Sequence, residues 1–324
     1  MVFPVIHSTL DPAALTEEIA RRYDFAPPVK CQLISRANND FYLVQTRAQR
    51  FALRVTKANF RTRAEYEFEA EYVAHLYEEG CRVPAPVRAN DGSLLFEIEA
   101  PEGVRSLSLM HWLEGTPFTH QLTAADAHDM GAALAQLHLV GTTFSAPAQR
   151  VISTPKSLEQ RIPDLLEMLD GQPEDQDFYQ RAMHHVNDAY GRIGDDKLPR
   201  GPVHGDYQFA NVLRLDSGEI GMLDFDTCGV GYLVEDILTF VWRSDMEIRD
   251  DTVNGAFISG YESLRPLSSE ERDALPLFRF ARDLVMSSSY AILINRVGPV
   301  SGFDGDFSPM TELARRHAAD VGFK

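Results

Sequence analysis

The stretch "VHGDYQFANVL" (Val203–Leu213), followed by "GMLDFDTCG" (Gly221–Gly229), decides how the chain is read. It sets His204, Asp206, Asn211, Asp224 and Asp226 among apolar residues whose pattern marks them as buried. A carboxylate is costly to bury unless it is paired or bound. Such a cluster points to a salt-bridge network, a metal site or a catalytic site.

The segment "NVLRLDSGEIGMLD" reads as a hairpin, with strands Val212–Leu215 and Ile220–Leu223 around a four-residue turn, Asp216 to Glu219. A symmetric turn pairs Leu215 with Ile220 and, counting outward, Asn211 with Asp224. Directly paired residues stand ~4.5–5.5 Å apart, so these two side chains should share one mouth. Oxygen donors so placed suit a hard cation such as Mg²⁺, which fills the rest of its shell from phosphate and water. A plain hydrogen bond across the hairpin base is the alternative. Asp206 follows Gly205, a residue that permits a tight loop. A carboxylate presented there would accept or orient a hydroxyl proton. His204 is read as an imidazole that packs and hydrogen-bonds the loop rather than as a second base.

Composition narrows the classes. The chain has 324 residues, 44% hydrophobic and 24% charged, which suggests a globular protein of one large domain or two lobes. Its net charge of −17 argues against nucleic-acid binding, which needs cations on phosphates. No segment approaches the ~18 apolar residues of a membrane span, so no membrane partner is expected. The start, "MVFPVIHSTLDPAAL", has neither a basic opening nor a long apolar run and does not read as a signal peptide. Cys31, Cys81 and Cys228 form no CxxC pair, which fits a reducing cytoplasm.

The order of elements is a sheet with one helix, then a mostly helical half. Asp11 and Pro12 open a helix. Val29–Thr56 reads as three antiparallel strands, with turns at Ala37-Asn38-Asn39-Asp40 and near Ala48-Gln49. A helix follows from Arg63 and stops at Gly80. "CRVPAPVRANDGSLLFEIEA" and "VRSLSLMHWLEG" read as further strands, turning at Asn90-Asp91-Gly92. Beyond Gly115 helices dominate, the first with Thr123 and Asp126 in capping-box spacing. Within the helix from Arg63, Glu69, Tyr72, Val73 and Leu76 share one face, an odd place for a carboxylate without a cationic partner. Glu65 is the runner-up, whereas Glu67, Glu71 and Glu78 read as solvated.

At "HGDYQFAN" and "LDFD" the chain resembles the aminoglycoside phosphotransferase and choline kinase family. That resemblance implies an α+β, bilobal, protein-kinase-like fold. It places a small β-rich nucleotide-binding lobe over residues 1–110 and a larger, mostly helical catalytic and acceptor-binding lobe over 111–324. It also implies transfer of the γ-phosphoryl of ATP, or sometimes GTP, to a hydroxyl. The family pattern HGDxxxxN falls on His204, Gly205, Asp206 and Asn211, with Asp206 catalytic. The metal-binding Asp falls on Asp224, and a supporting Asp on Asp236. Asn211 and Asp224 would hold Mg²⁺. "RFALRV" resembles the strand that carries the phosphate-binding cation, here Arg54, with Glu69 as its partner. "LMHWLEG" resembles the segment that binds adenine, with Met110 at the back of the pocket and His111 and Leu113 bonding through their backbones. "SRANND" stands at the nucleotide loop, where Asn39 matches the family's frequent Asn. Asp226 takes the place of a glycine in protein kinases.

Three functions fit to different degrees. A phosphotransferase uses every one of these residues, since phosphoryl transfer is mostly positioning and electrostatics. A nucleotide-binding regulatory pseudokinase is suggested by the loop's missing glycines but not by the intact Asp206, Asn211 and Asp224. A metal-dependent hydrolase lacks support, because the ten His residues form no HxxxH or HxH pair. The expected acceptor is a hydroxyl-bearing small molecule such as an amino alcohol, aminoglycoside, homoserine or sugar. "WRSDMEIRDD", with Trp242 and several acids, would suit a cationic one.

Overall fold

Alternating buried and exposed side chains build the first sheet. The computed structural model describes residues 3–36, 39–146, 149–193, 197–297 and 305–323. Strands β1 (Lys30–Arg36), β2 (Asp40–Gln45) and β3 (Arg50–Val55) run antiparallel. With β4 (Phe96–Ala100) and β5 (Gly103–His111) they form one five-stranded sheet, ordered β1-β2-β3-β5-β4. Tyr42, Val44, Phe51, Leu53, Val55, Leu107 and Leu109 give the sheet its buried face, against which Leu15, Ile19 and Tyr23 pack. Leu15 and Ile19 lie on helix α1 (Pro12–Arg22), whose N-terminus is capped by Asp11 through the Ala13 N–H. The expected turn at Ala37 and Asn38 lies outside the described residues.

The stretch around Pro84 and Pro86 does not become a regular strand. Proline has no N–H to give a ladder, and only an isolated bridge joins Pro86 to Met110. Asn90-Asp91-Gly92 turns as expected, with Gly92 at φ +84°.

Helix α2 (Arg63–Glu78) starts at a capping box, in which Thr62 and Glu65 bond each other's backbone N–H. The box occupies Glu65 and so separates it from Glu69. Glu67 pairs with Arg63 at the surface, and Glu71 lies 3.7 Å from Arg88.

The sheet of β6 (Thr116–Pro117), β8 (Val212–Arg214) and β9 (Ile220–Met222) carries the hairpin. Its register corrects the expected one. Val212 faces Met222 and Arg214 faces Ile220. The Leu215 N–H bonds Glu219 O, and the Leu223 N–H bonds Asn211 O at 2.8 Å. Gly218, at φ +85°, closes a loop of three residues rather than four. Asn211 therefore stands opposite Leu223, one position short of Asp224.

The chain divides into two compact units, one of residues 1–118, 139–150 and 210–229, and a second of 119–138, 151–209 and 230–324. The first is sheet-rich. The second is helical, giving the expected α+β order. It contains most of α3 (Ala124–Gly141), then α4 (Thr154–Met168), α5 (Pro173–Ile193), α6 (Val234–Glu247), α7 (Asp251–Leu264), α8 (Ser269–Val297) and α9 (Ser308–Asp320). A short sheet joins β7 (Arg200–Val203) to β10 (Gly229–Tyr232). Long α8 packs on α4, α6 and α9. Helices α3 and α7 meet backbone to backbone. A Cβ on Gly131 would come within 1.9 Å of Phe257 O, and one on Gly260 within 1.9 Å of His128 O. Among the described residues no helix is long and apolar enough to cross a membrane.

Candidate active site

In the first unit a cavity of about 330 Å³ is lined by Arg54, Glu69, Met110, His111, Leu113, Asn211 and Asp224, together with apolar residues such as Phe41, Ala52 and Val73. Seven of the residues singled out in the sequence thus share one wall. Arg54 reaches it from β3, where Phe41 and Ser108 are its cross-strand neighbours. Its guanidinium bonds Glu69, which also accepts from Arg61 Nη1 at 2.9 Å. Burial alone would push the Arg54 pKa down. Glu69 and, further off, Asp226 and Asp224 outweigh it and hold the guanidinium above its ordinary range.

Asp224 lies at φ 62°, ψ 64°, a left-handed backbone that non-glycine residues adopt rarely. Such strain is found most often where a side chain must be aimed. The next residue, Phe225, packs edge-on to Tyr72 of α2 at 6.2 Å, which ties this turn to the helix that carries Glu69. Asn211 and Asp224 present oxygen donors to the cavity beside a buried cation, the donor chemistry that Mg²⁺ with phosphate oxygens requires. Among the described residues no cluster of three or more His, Cys, Asp or Glu could hold a metal alone.

The His111 N–H bonds Ala85 O at 2.8 Å and the Trp112 N–H bonds Arg50 O at 3.2 Å. His111 therefore has only its carbonyl to offer a base. Burial lowers the pKa of its imidazole. Asn39, expected at the nucleotide loop, meets a neighbouring acid. Its amide donates to Asp226 Oδ2 at 3.1 Å, and both residues are buried. Arg150 then ties down the same turn from its backbone, donating to the carbonyls of Asp226 and Cys228 at 2.9 Å each. A larger cavity, about 630 Å³, flanks α2 but is lined by none of the motif residues.

Residues 30–271 match the phosphotransferase enzyme family. The chain belongs to that family. It is 31% identical over 287 residues to an uncharacterised protein of Synechocystis, covering 84% of this chain and 76% of that one. It is 31% identical over 216 residues to a homoserine kinase of Gluconacetobacter diazotrophicus, covering 62% of each. A solved structure of an amicoumacin kinase, in complex with AMP-PNP, Ca²⁺ and Ami, superposes with a TM-score of 0.76. It covers 97% of this chain and 96% of that one at 17% identity. The fold is kinase-like, and the protein is a phosphotransferase that acts on an alcohol group. The chain spans 62% of that homoserine kinase's length.

In the second unit of this phosphotransferase the loop after β7 presents Asp206. Gly205 is left-handed, at φ +84°. Asp236, fully buried in the first turn of α6, grips the loop by its main chain. Its carboxylate accepts the His204 N–H at 2.6 Å and the Gly205 N–H at 2.7 Å. His138 Nε2 lies 3.1 Å from the same carboxylate, and His138 Nδ1 lies 2.8 Å from Tyr261 Oη. Burial alone would raise the Asp236 pKa, but His138 and the His204 side chain and N–H outweigh it and lower it. His204 is buried edge-on to Tyr207, whose hydroxyl bonds Met130 O at 2.8 Å. That is the packing role read from the sequence. Asp206 itself accepts from Gln208 Nε2 at 3.1 Å and from Arg282 Nη2 at 3.3 Å.

Sequence reasoning missed Arg61, Arg150, His138 and Arg282. Arg61 stands one residue before the Thr62 cap, the only local signal among them. Three of the four acids of "WRSDMEIRDD" have structural partners. Asp245 takes Arg279 Nε at 3.0 Å and Asn254 Nδ2 at 2.8 Å, Glu247 pairs with Arg243, and Asp250 caps α7.

Proposed function

We propose that this phosphotransferase moves the γ-phosphoryl group of ATP, accompanied by Mg²⁺, to the hydroxyl of a small molecule. The buried Arg54–Glu69 pair, facing the same cavity as Asn211 and Asp224, carries the reading. Arg54 would hold the α- and β-phosphates. Asn211 and Asp224 would hold the ion, which supplies positive charge against the phosphate oxygens. The segment from Met110 to Leu113 would take the base, through the His111 carbonyl and the Leu113 backbone. Asn39 would act indirectly, by fixing Asp226. Asp206 would orient the acceptor hydroxyl and receive its proton as the new oxygen–phosphorus bond forms. The bond from the γ-phosphorus to the bridging oxygen breaks in the same step, and ADP leaves.

In this assignment residues 1–110 serve mainly nucleotide binding, and 111–324 supply the catalytic and acceptor-binding groups. The acceptor is drawn from amino alcohols, aminoglycosides, homoserine and sugars; the homoserine kinase relative supports a small one. Cys31, Cys81 and Cys228 are free and buried, which supports a cytoplasmic setting.

The test is an ATP-consumption screen of the purified protein against pooled hydroxyl metabolites, with a protein Ser/Thr substrate included. Mg²⁺-dependent ADP release with one small-molecule pool is the expected result. ADP release with the protein substrate alone would overturn the small-molecule assignment.

A further inference from the structure

Beside Asp206 the second unit has a slot of about 10 Å³, lined by Gln208, Thr239, Trp242, Arg243, Arg282 and Met286. That volume holds no more than a water. Arg282 of α8 closes it by resting on the carboxylate of Asp206 through a 3.3 Å contact, with 17% of its side chain exposed. The contact is long and partly solvated, and ion pairs of this kind hold weakly. It is easily exchanged.

The acids near the slot have partners of their own. Asp245 is held by Arg279 and Asn254, Glu247 by Arg243, and Asp283 by His317. Among the described residues the Nε atoms of both Arg243 and Arg282 are buried without a hydrogen-bond partner. Buried donors left in this way are rare and costly, and each is supplied by a group that accepts. Glu247 and Asp206 meet these two guanidinium groups at Nη2, so each keeps its Nε donor for a further acceptor. Trp242, Thr239 and Met286 supply apolar surface for a short carbon chain.

Resting on the phosphotransferase reading above, we propose that Arg282 sets acceptor specificity, and that the acceptor is a short hydroxylated carboxylate. Its carboxylate takes the Arg282 guanidinium, with Arg243 lining the same slot. Arg282 moves off Asp206 in doing so, which opens the slot and leaves the Asp206 carboxylate to the acceptor hydroxyl. A guanidinium forks onto a carboxylate with two parallel hydrogen bonds, so the exchange replaces one long contact with two good ones. A cationic or neutral alcohol gives Arg282 nothing to exchange for. Arg282 thus excludes the wrong acceptor as well as binding the right one.

The test uses the full chain, ATP and Mg²⁺ with matched acceptors. L-Homoserine and 4-hydroxybutanoate carry a carboxylate, and 3-amino-1-propanol is homoserine without it. The expected kcat/KM is ~10–100-fold higher for the carboxylates, the worth of hydrogen bonds to a charged group. Arg282→Met should flatten that ratio, and Arg282→Lys should keep part of it. Equal or better turnover of 3-amino-1-propanol by the wild type, or a ratio that survives Arg282→Met, would overturn the proposal. If no acceptor in the set reacts, calorimetry with the two carboxylates decides. Failure to bind, or equal binding by wild type and Arg282→Met, also overturns it. Failure of the phosphotransferase reading looks different, with no transfer to any alcohol, aminoglycosides and sugars included, and no binding of nucleotide.

Discussion

Glu69 on α2 is paired with Arg54 on β3 where each side chain is only 5% exposed. A buried pair of this kind adds little over an apolar one, but removing one partner strands the other charge, at a cost of ~3–5 kcal/mol. Arg61 shares the Glu69 carboxylate and softens the loss of Arg54 more than the loss of Glu69. Arg54→Ala and Glu69→Ala should each raise the KM for ATP and lower stability in urea, Glu69→Ala the more severely. The double variant should lose less than the sum. Strictly additive losses in a double-mutant cycle would dissolve the assigned partnership.

Asp224 can be tested without releasing its backbone, because asparagine tolerates the left-handed region nearly as well as aspartate. Asp224→Asn should weaken Mg²⁺-dependent nucleotide binding by ~10–100-fold, as expected for a lost charge-assisted contact. Asn211→Ala should do so to a smaller extent. Isothermal titration at several Mg²⁺ concentrations reads this directly. Unchanged Mg²⁺ dependence in both variants would remove the ion from this pair.

Asp206→Asn keeps the shape of the loop and removes the charge that orients a hydroxyl proton. Turnover should fall by ~10²–10⁴-fold, while nucleotide affinity moves far less. Near wild-type turnover would make Asp206 a structural residue.

The Asp236 carboxyl is held below its ordinary value of 3.8. A depressed folded-state pKa stabilises the native protein above the unfolded value. The contribution is present in full above about pH 4 and is lost as the pH falls through the depressed value. Asp236→Asn cannot accept both the His204 and Gly205 N–H groups as an anion does. It should be less stable than wild type at pH 7, with the gap closing as the pH drops below about 4. Urea midpoints across pH 3–7 check the sign. A gap that stays constant over that range would mean that the ionised form is not what grips the loop.

Local patterns made some of this legible and could not reach the rest. Glu69 was readable because it shares a face with Tyr72, Val73 and Leu76, so burial could be inferred from period alone. Glu65 was excluded only by its capping box with Thr62, seen in the fold. The hairpin register slipped by one because Asp216-Ser217-Gly218-Glu219 admits either loop length. The choice lies in the left-handed Gly218, a backbone fact that composition leaves open. Asn39 finds Asp226 across 187 residues of sequence, and Arg282 finds Asp206 across 76. No periodicity encodes such contacts. Helix α9 went unread, although Pro309 in its first turn is an ordinary start signal.

The grip of Asp236 on the His204 and Gly205 amides has a consequence for how such a protein can diversify. The clamp grips main-chain amides, so the side chains on the loop answer to other demands, the left-handed φ at Gly205 and the packing of His204 on Tyr207. Behind it, the contact of α3 and α7 at Gly131 and Gly260 lets Tyr261 reach His138, and tolerates almost no substitution. Conservation pressure should therefore concentrate on Asp236, His138, Gly131 and Gly260. The rim residues Gln208 and Arg282, less deeply set, stay open to exchange. An engineer who wants a new acceptor can randomise the rim and leave the clamp alone, and Asp206 will still be presented from the same turn.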